Sequence, residues 1–244
     1  MIFKWYKNAI IILASSGIVI AGESEMVKKN SLKKYSTRRD LKKSGEPKGG
    51  EPTKKGDKIF VIQKHDASHL HYDFRIEIDG VLKSWAVPKG PSLNPGVKRL
   101  AMPTDDHPMG YATFEGTIPE GSYGAGEVIV WDTGTYTNIK EKDGKLVPMK
   151  ECFKMGTIEI FLHGKKLKGG FALIKTHLHD ADAWLLIKMK DEYADARANP
   201  VSSKPESALS GKTIEDVRSE NGKAEPKKSL SKKTSKKKVK KNKK

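Results

Sequence analysis

The sequence predicts an all-β, mainly antiparallel domain, a sandwich or a barrel, and three observations carry that expectation. Apolar residues recur in short runs or at alternate positions, the two-residue period of a strand, and no stretch holds a long capped helical period. Gly, Pro, Asn and Asp punctuate the runs at Asp79-Gly80, Pro88-Lys89-Gly90, Asn94-Pro95-Gly96, Pro119-Glu120-Gly121 and Lys168-Gly169-Gly170. The charge is also unevenly placed. The chain of 244 residues carries a net +17, but 11 lysines and no acid fall in 227–244, and 12 Lys or Arg face 4 acids in 27–58. The segment between these flanks is slightly acidic, as expected of a folded core with basic extensions.

Residues 1–25 hold Lys4 and Lys7 before an apolar run from Ala9 to Ala21. This pattern fits a signal-like segment or a start upstream of the true one at Met26, and the run is short for a membrane helix. Residues 26–58 are rich in Lys, Gly, Pro and Ser with almost no apolar periodicity, and composition alone reads them as an extended basic arm. The domain proper is expected over 59–194. Its strands are Ile59–Gln63, Leu70–Ile78, Val81–Val87, Glu127–Trp131, Thr157–Leu162, Phe171–Lys175 and Trp184–Met189. Residues 195–244 read as a disordered tail with one short helix at Thr213–Ser219. A lysine tail attracts a phosphate backbone without sequence selectivity and also serves as a plain solubilising segment. Cys152 is the sole cysteine, which excludes an intramolecular disulfide and a cysteine-based zinc cluster.

Within Leu70–Ile78, alternation places Leu70, Tyr72, Phe74, Ile76 and Ile78 on one apolar face and His71, Asp73, Arg75 and Glu77 on the other. Asp79-Gly80 is a two-residue hairpin turn that needs positive φ at both positions. It sets a register pairing Ile78 with Val81, Arg75 with Ser84, Phe74 with Trp85 and Asp73 with Ala86. The aromatic pair then lies on the core side, and Asp73 and Arg75 face small residues.

His71 and Asp73 point to one side of the strand, and His65 joins them if the chain between it and Leu70 curls back. Two imidazoles and a carboxylate form a common metal set with open positions for phosphate oxygens, suited to Mn²⁺ and also to Zn²⁺ or another divalent ion. Spacing alone leaves a second reading open, the solvated face of an edge strand, and leaves His69 open as a ligand because it shares the parity of His71. Arg75, Lys89, Arg99, His107 and Tyr111 could together grip a phosphate, or be ordinary loop residues.

Longer motifs narrow these readings. Gln63-Lys-His-Asp-Ala-Ser-His-Leu-His-Tyr-Asp-Phe-Arg, Ser84-Trp-Ala-Val-Pro-Lys-Gly-Pro, Asp106-His-Pro-Met-Gly-Tyr and Phe114-Glu-Gly-Thr-Ile-Pro-Glu-Gly-Ser-Tyr-Gly-Ala-Gly resemble the 3′-phosphoesterase domain of bacterial DNA ligase D. The resemblance extends forward to Trp184-Leu-Leu-Ile-Lys and back to Tyr35-Ser-Thr-Arg-Arg-Asp-Leu-Lys-Lys-Ser-Gly-Glu-Pro. It implies a small closed β-barrel with short peripheral helices and an N-terminal arm partly ordered against the site. It implies a Mn²⁺-dependent enzyme that removes a terminal ribonucleoside from a 3′ end and then hydrolyses the 3′-phosphate left behind. By motif position, His65, His71 and Asp73 resemble the metal ligands, and Arg75, His107 and Tyr111 the phosphate-contacting group. Lys89, Arg99, Arg39 and Glu46 fall on positions important for activity. His107 is implied either as donor of a proton to the departing oxygen or as a stabiliser of the transition state.

The chain departs from the family pattern at Leu41, where Phe is usual, and at Gly45, where Pro is usual. His177 and His179 fall in a variable loop and read as solvated, and Cys152 as buried filler. No Lys-x-Asp-Gly nucleotidyl-acceptor motif is present, since Lys142-Asp143-Gly144 has the wrong spacing. The resemblance is therefore to a stand-alone form whose partners are DNA or RNA/DNA primer–template 3′ ends, a separate ligase and other end-joining proteins. That chemistry favours a start at Met26 and a cytoplasmic place beside the nucleoid, with no membrane role unless residues 1–25 are retained. Two rivals are a nucleic-acid-binding module with a dead site and a metal-dependent enzyme acting on a small metabolite. The intact histidine and carboxylate set counts against the first, and the basic flanks count against the second.

Overall fold

The computed structural model describes residues 30–49, 58–176 and 182–220. Among these residues eleven strands form in chain order: β1 Ile59–Asp66, β2 Leu70–Ile78, β3 Val81–Val87, β4 Lys98–Pro103, β5 Gly116–Ile118, β6 Gly126–Asn138, β7 Glu141–Lys142, β8 Lys145–Leu146, β9 Thr157–Gly164, β10 Lys168–Lys175 and β11 Trp184–Lys188. The helices are short: α1 Lys33–Arg38, a 3₁₀ turn at Met109–Thr113, α2 Met149–Met155, α3 Pro200–Ser203 and α4 Ile214–Glu220. The order β1-β2-β3-β4-β11-β10-β9-β6 closes through a β1–β6 pairing into an antiparallel eight-stranded barrel, with β5 appended to β6. Closure removes the unpaired edges that an open sheet would expose.

The hairpin expected from Asp79-Gly80 forms with the expected register, Ile78↔Val81, Arg75↔Ser84, Phe74↔Trp85 and Asp73↔Ala86. Both turn residues take positive φ, 54° and 79°. Phe60, Ile62, Tyr72, Phe74, Trp85 and Trp131 belong to one buried cluster that also draws on β9, β10 and β11, so these side chains fill the barrel interior. Leu70, counted with the apolar face, is 47% exposed because it opens β2 at the barrel end. The alternate residues of β1, β2 and β3 lie on the outer face. There Val61, Leu82 and Val130 pack with Tyr35 of α1 and with Met109, Tyr111 and Ala112 of the 3₁₀ turn.

Three features differ from the sequence expectation. Strands β4 and β5 were not foreseen, since Lys98–Pro103 begins with two charges and ends in proline and Gly116–Ile118 is only three residues long. Strand β6 runs on to Asn138, with one half paired to β1 and the other to β9. A bulge interrupts its pairing with β1: Ile62 faces Asp132 but Gln63 faces Val130, leaving Trp131 as the extra residue.

The fold also continues past residue 194. The expected short helix forms as α4, and its Ile214 and Val217 are buried against Ile129 of β6. Each such aliphatic side chain contributes ~1.5–3 kcal/mol on burial. The Trp131 indole N–H donates to Lys204 O at 2.7 Å, so the segment after β11 is stitched to the bulge. The described part of this segment, 195–220, is therefore packed structure, because it supplies apolar side chains that bury against Ile129 of β6. Residues 1–25, the lysine tail from 227 onward, His177 and His179 lie outside the described residues. Among those described, no helix is long and apolar enough to cross a membrane. Cys152 is fully buried, its thiol pushed up by burial, and its Sγ–H donates to Val147 O.

Candidate functional site

The outer face of β1 and β2 carries the metal candidates. The chain between the two strands does curl back, which makes His65 and His71 direct cross-strand partners, and Asp73 lies one alternate position along β2. One donor atom from each of His65, His71 and Asp73 lies within 4.8 Å of the others. The imidazole protons are fixed by backbone carbonyls, which only accept. His65 Nε2–H donates to Gly124 O at 2.9 Å, and His71 Nδ1–H donates to His69 O at 2.8 Å. The remaining lone pairs, on His65 Nδ1 and His71 Nε2, each face a different oxygen of Asp73 at 3.6 Å. Two lone pairs and a carboxylate aimed at one point are what a divalent cation requires, with the outer-shell carbonyls setting the tautomers. His69 contributes its carbonyl and is not part of this donor set.

Burial alone would raise the Asp73 pKa. The adjacent Arg75 guanidinium leads the effects that outweigh it and hold the carboxyl well below the usual carboxylate range. Arg75 is itself locked. Its Nη2 donates to Asp73 Oδ2 at 2.9 Å and its Nε to Gln63 Oε1 at 2.8 Å. Gln63 in turn donates through Nε2 to the carbonyls of Tyr111 and Phe114. The position of Gln63, two residues before His65 on the same strand face, was the available signal for this anchoring role.

Against that wall stands a second group of residues. His107 Nδ1 lies 2.8 Å from Arg75 Nη1 and 2.7 Å from Asp105 O, and its Nε2 lies 3.4 Å from Arg39 Nη2. Burial first, and then the guanidinium groups of Arg75 and Arg39, push the His107 pKa well below its ordinary value, so the imidazole rests neutral. The arm supplies Arg39, whose Nε donates to Glu46 Oε1 at 3.1 Å and whose Nη1 lies 3.6 Å from Asp105 Oδ2. The Tyr111 hydroxyl, kept protonated by burial, donates to the same Glu46 oxygen at 3.1 Å. Glu46 Oε2 is buried and has no hydrogen-bond partner among the described residues. Gly45, at the position where the family pattern has proline, takes φ +70°, a conformation closed to proline. Leu41 packs against the cluster around Tyr35.

These groups line one cleft of about 180 Å³ that contains His65, His71, Asp73, Arg75, His107, Tyr111, Arg39 and Glu46. The structure does not bring Lys89 or Arg99 into its lining. Lys89 is exposed in the turn after β3, and Arg99 sits on β4 opposite Leu186. The β2–β3–β4 register, with Asp73↔Ala86 and Ala86↔Met102, carries both residues toward the end of the sheet where β2 begins. Residues not singled out from sequence also enter: Asp105, two before His107, and Tyr123, in the loop between β5 and β6.

The ionic balance of the lining is informative. Asp73, Glu46 and Asp105 oppose Arg39 and Arg75, so with neutral imidazoles the lining is one charge negative. A divalent cation at the His65–His71–Asp73 set would reverse that sign and favour an anion in the cleft.

Residues 63–175 match the family described as the DNA Ligase D 3′-phosphoesterase domain. Over 188 residues the chain is 46% identical to the multifunctional non-homologous end joining protein LigD of Pseudomonas aeruginosa, covering 75% of this chain and 22% of that protein. It is 45% identical over 162 residues to the multifunctional non-homologous end joining DNA repair protein LigD of Mycobacterium tuberculosis, covering 66% of this chain and 20% of the relative. For the LigD protein of Mycolicibacterium smegmatis the values are 42% over 164 residues, 67% and 21%. The chain thus spans about a fifth of the length of these relatives.

Proposed function

Residues 63–175 belong to the DNA ligase D 3′-phosphoesterase domain family, and from that premise we propose that the chain is a divalent-metal-dependent hydrolase of nucleic-acid 3′ ends. Its reactions are removal of a terminal ribonucleoside and then hydrolysis of the resulting 3′-phosphate, in preparation for end joining. The observation that carries this reading is the junction of two sets in one cleft: the oriented donors of His65, His71 and Asp73 beside the fixed guanidinium of Arg75. Mn²⁺ fits that donor set, with two neutral nitrogens and one hard carboxylate.

When bound, the cation supplies charge neutralisation and Lewis acidity at phosphorus. Arg75 and Arg39 receive the non-bridging oxygens from fixed positions, which lowers the cost of ordering them during reaction. In the second step water adds to phosphorus, the bond to the 3′-oxygen breaks, and that oxygen takes a proton to give a 3′-hydroxyl and inorganic phosphate. His107 enters neutral. Arrival of an anionic phosphate offsets the guanidinium charges that suppress its protonation, so the imidazole is suited to carrying a proton only while substrate is present. In the first step water adds to phosphorus and the bond to the 5′-oxygen of the terminal nucleoside breaks; that oxygen takes a proton, and the 3′-phosphate stays on the next residue.

The test is to incubate the full chain with a 3′-phosphate primer–template and Mn²⁺, with and without EDTA. Release of inorganic phosphate and a 3′-hydroxyl product only where metal is present is expected. Absence of product at saturating Mn²⁺ would sink the proposal.

A further inference from the structure

One guanidinium lies between two tyrosine rings of very different exposure. Arg39 Cζ is 4.4 Å from the centroid of Tyr35 and 4.9 Å from that of Tyr123. Tyr35 is 2% exposed and belongs to a packed cluster, whereas Tyr123 is 48% exposed although it lines the cleft. The Tyr123 ring is held by a second guanidinium as well. Arg38 Cζ stands 5.5 Å from its centroid, and Arg38 Nη1 donates to the Tyr123 hydroxyl at 3.4 Å and to Asp105. The next residue is Gly124, whose carbonyl accepts from His65, so the ring stands one residue from a contact of the metal set. Gly121 and Gly124 take φ of +79° and +78°, which fixes the path of the loop that presents the ring.

Leaving half of an aromatic ring in water forfeits the burial that Tyr35 enjoys. A flat surface, pinned by two arginines and placed beside a phosphate-sized site, matches the nucleoside attached to that phosphate. We infer that Tyr123 is the stacking platform for the base of the 3′-terminal nucleotide, the subsite that makes the cleft select a nucleic-acid end over a bare phosphoester. This rests on the functional reading above and deepens it. Stacking on a phenol ring uses the π-face that every base has, so the subsite accepts all four bases. Arg38 and Arg39 steady the ring, while the arm and the β5–β6 loop form the two sides of the entrance.

The experiment compares two primer–templates that carry the same 3′-phosphate, one on a normal terminal nucleotide and one on an abasic terminal residue. Both are assayed by kcat/KM with the full chain, with Tyr123→Ala and with Tyr123→Phe. The wild type is expected to prefer the base-bearing end by about 5- to 100-fold, the span of one base–aromatic stack. Tyr123→Ala should bring that ratio close to one, and Tyr123→Phe should keep it. The ratio isolates stacking from any loosening of Arg39, because such loosening lowers both rates alike. A wild-type ratio near one, or a ratio that Tyr123→Ala leaves unchanged, overturns the inference. If the wild type hydrolyses neither primer, the functional reading has failed. The same ratio, measured as dissociation constants of the Mn²⁺-loaded proteins, then decides the subsite.

Discussion

The two walls of the cleft reach the same space by different routes. On the β1–β2 wall, His65, His71, Asp73 and Arg75 are brought together by strand alternation and one short turn, and the contacts among them run within β2 or between β1 and β2. On the facing wall, Arg39 and Glu46 come from an arm that has no strand pairing, and they are held by Tyr111 and Asp105, more than 60 positions away. The first wall is part of the barrel's hydrogen-bond ladder and moves only if the barrel does. The second depends on a few polar and cation–π contacts and can be lost while the barrel stands. On the proposed function such a site divides its needs: metal geometry and the Arg75 contact would rest on the rigid element, and the Arg39 contact on the attachable one.

Breaking the first wall should have the largest effect. His71→Ala removes a proposed metal ligand from a partly exposed strand position and is expected to reduce Mn²⁺-dependent hydrolysis by at least about 10³-fold, with an unchanged far-ultraviolet spectrum. Steady-state kinetics and calorimetric Mn²⁺ titration check it, and near-normal metal affinity would remove His71 from the ligand set.

The second wall is tested by comparing deletion of residues 1–50 with deletion of 1–26. The longer deletion should cripple catalysis while the barrel still melts cooperatively. Arg39→Lys keeps the charge but loses the planar fork that meets Glu46, Asp105 and His107, and about a 10- to 100-fold loss of kcat/KM is expected. Wild-type turnover in Arg39→Lys would reduce the arm to a source of charge.

The two walls meet at His107, and pH reads that meeting. In the fold, burial and then Arg75 and Arg39 keep the imidazole neutral, whereas in the unfolded chain it takes a proton below about pH 6.5. The unfolded state thus binds the additional proton, so the stability of the metal-free protein should fall as pH drops below that value. The limit is ~1.4 kcal/mol per pH unit. Thermal melts in EDTA between pH 7.5 and about 5 should show a shallower slope for His107→Gln. Equal slopes would place the acid sensitivity elsewhere.

The smallest effect is expected from outside both walls. Arg218 of α4 pairs with Asp66, the neighbour of His65, and with Glu127 at 3.1 Å. Arg218→Ala should cost about 1 kcal/mol of stability and only a few-fold in activity, since the pair is partly exposed and acts through the end of β1. A loss as large as that of His71→Ala would make the C-terminal segment part of the site.

Sequence alone determined the features that local chemistry dictates. Alternation in Leu70–Ile78 separated core from site, Asp79-Gly80 set the hairpin register, and the spacing of His65, His71 and Asp73 marked the metal candidates while leaving a solvated face as the alternative. Resemblance of motifs pointed to Arg39 and Glu46, where composition showed only a basic arm. Tertiary structure decided the rest: the closure of β1 on β6, the entry of Tyr123 and Asp105 into the cleft, the position of Lys89 and Arg99 outside its lining, and the packing of residues 195–220 on β6. Periodicity and turn torsions are constraints within a few residues, so they are written in the chain. Which loop meets which wall depends on contacts between segments 60 or more residues apart, and those exist only once the barrel has closed.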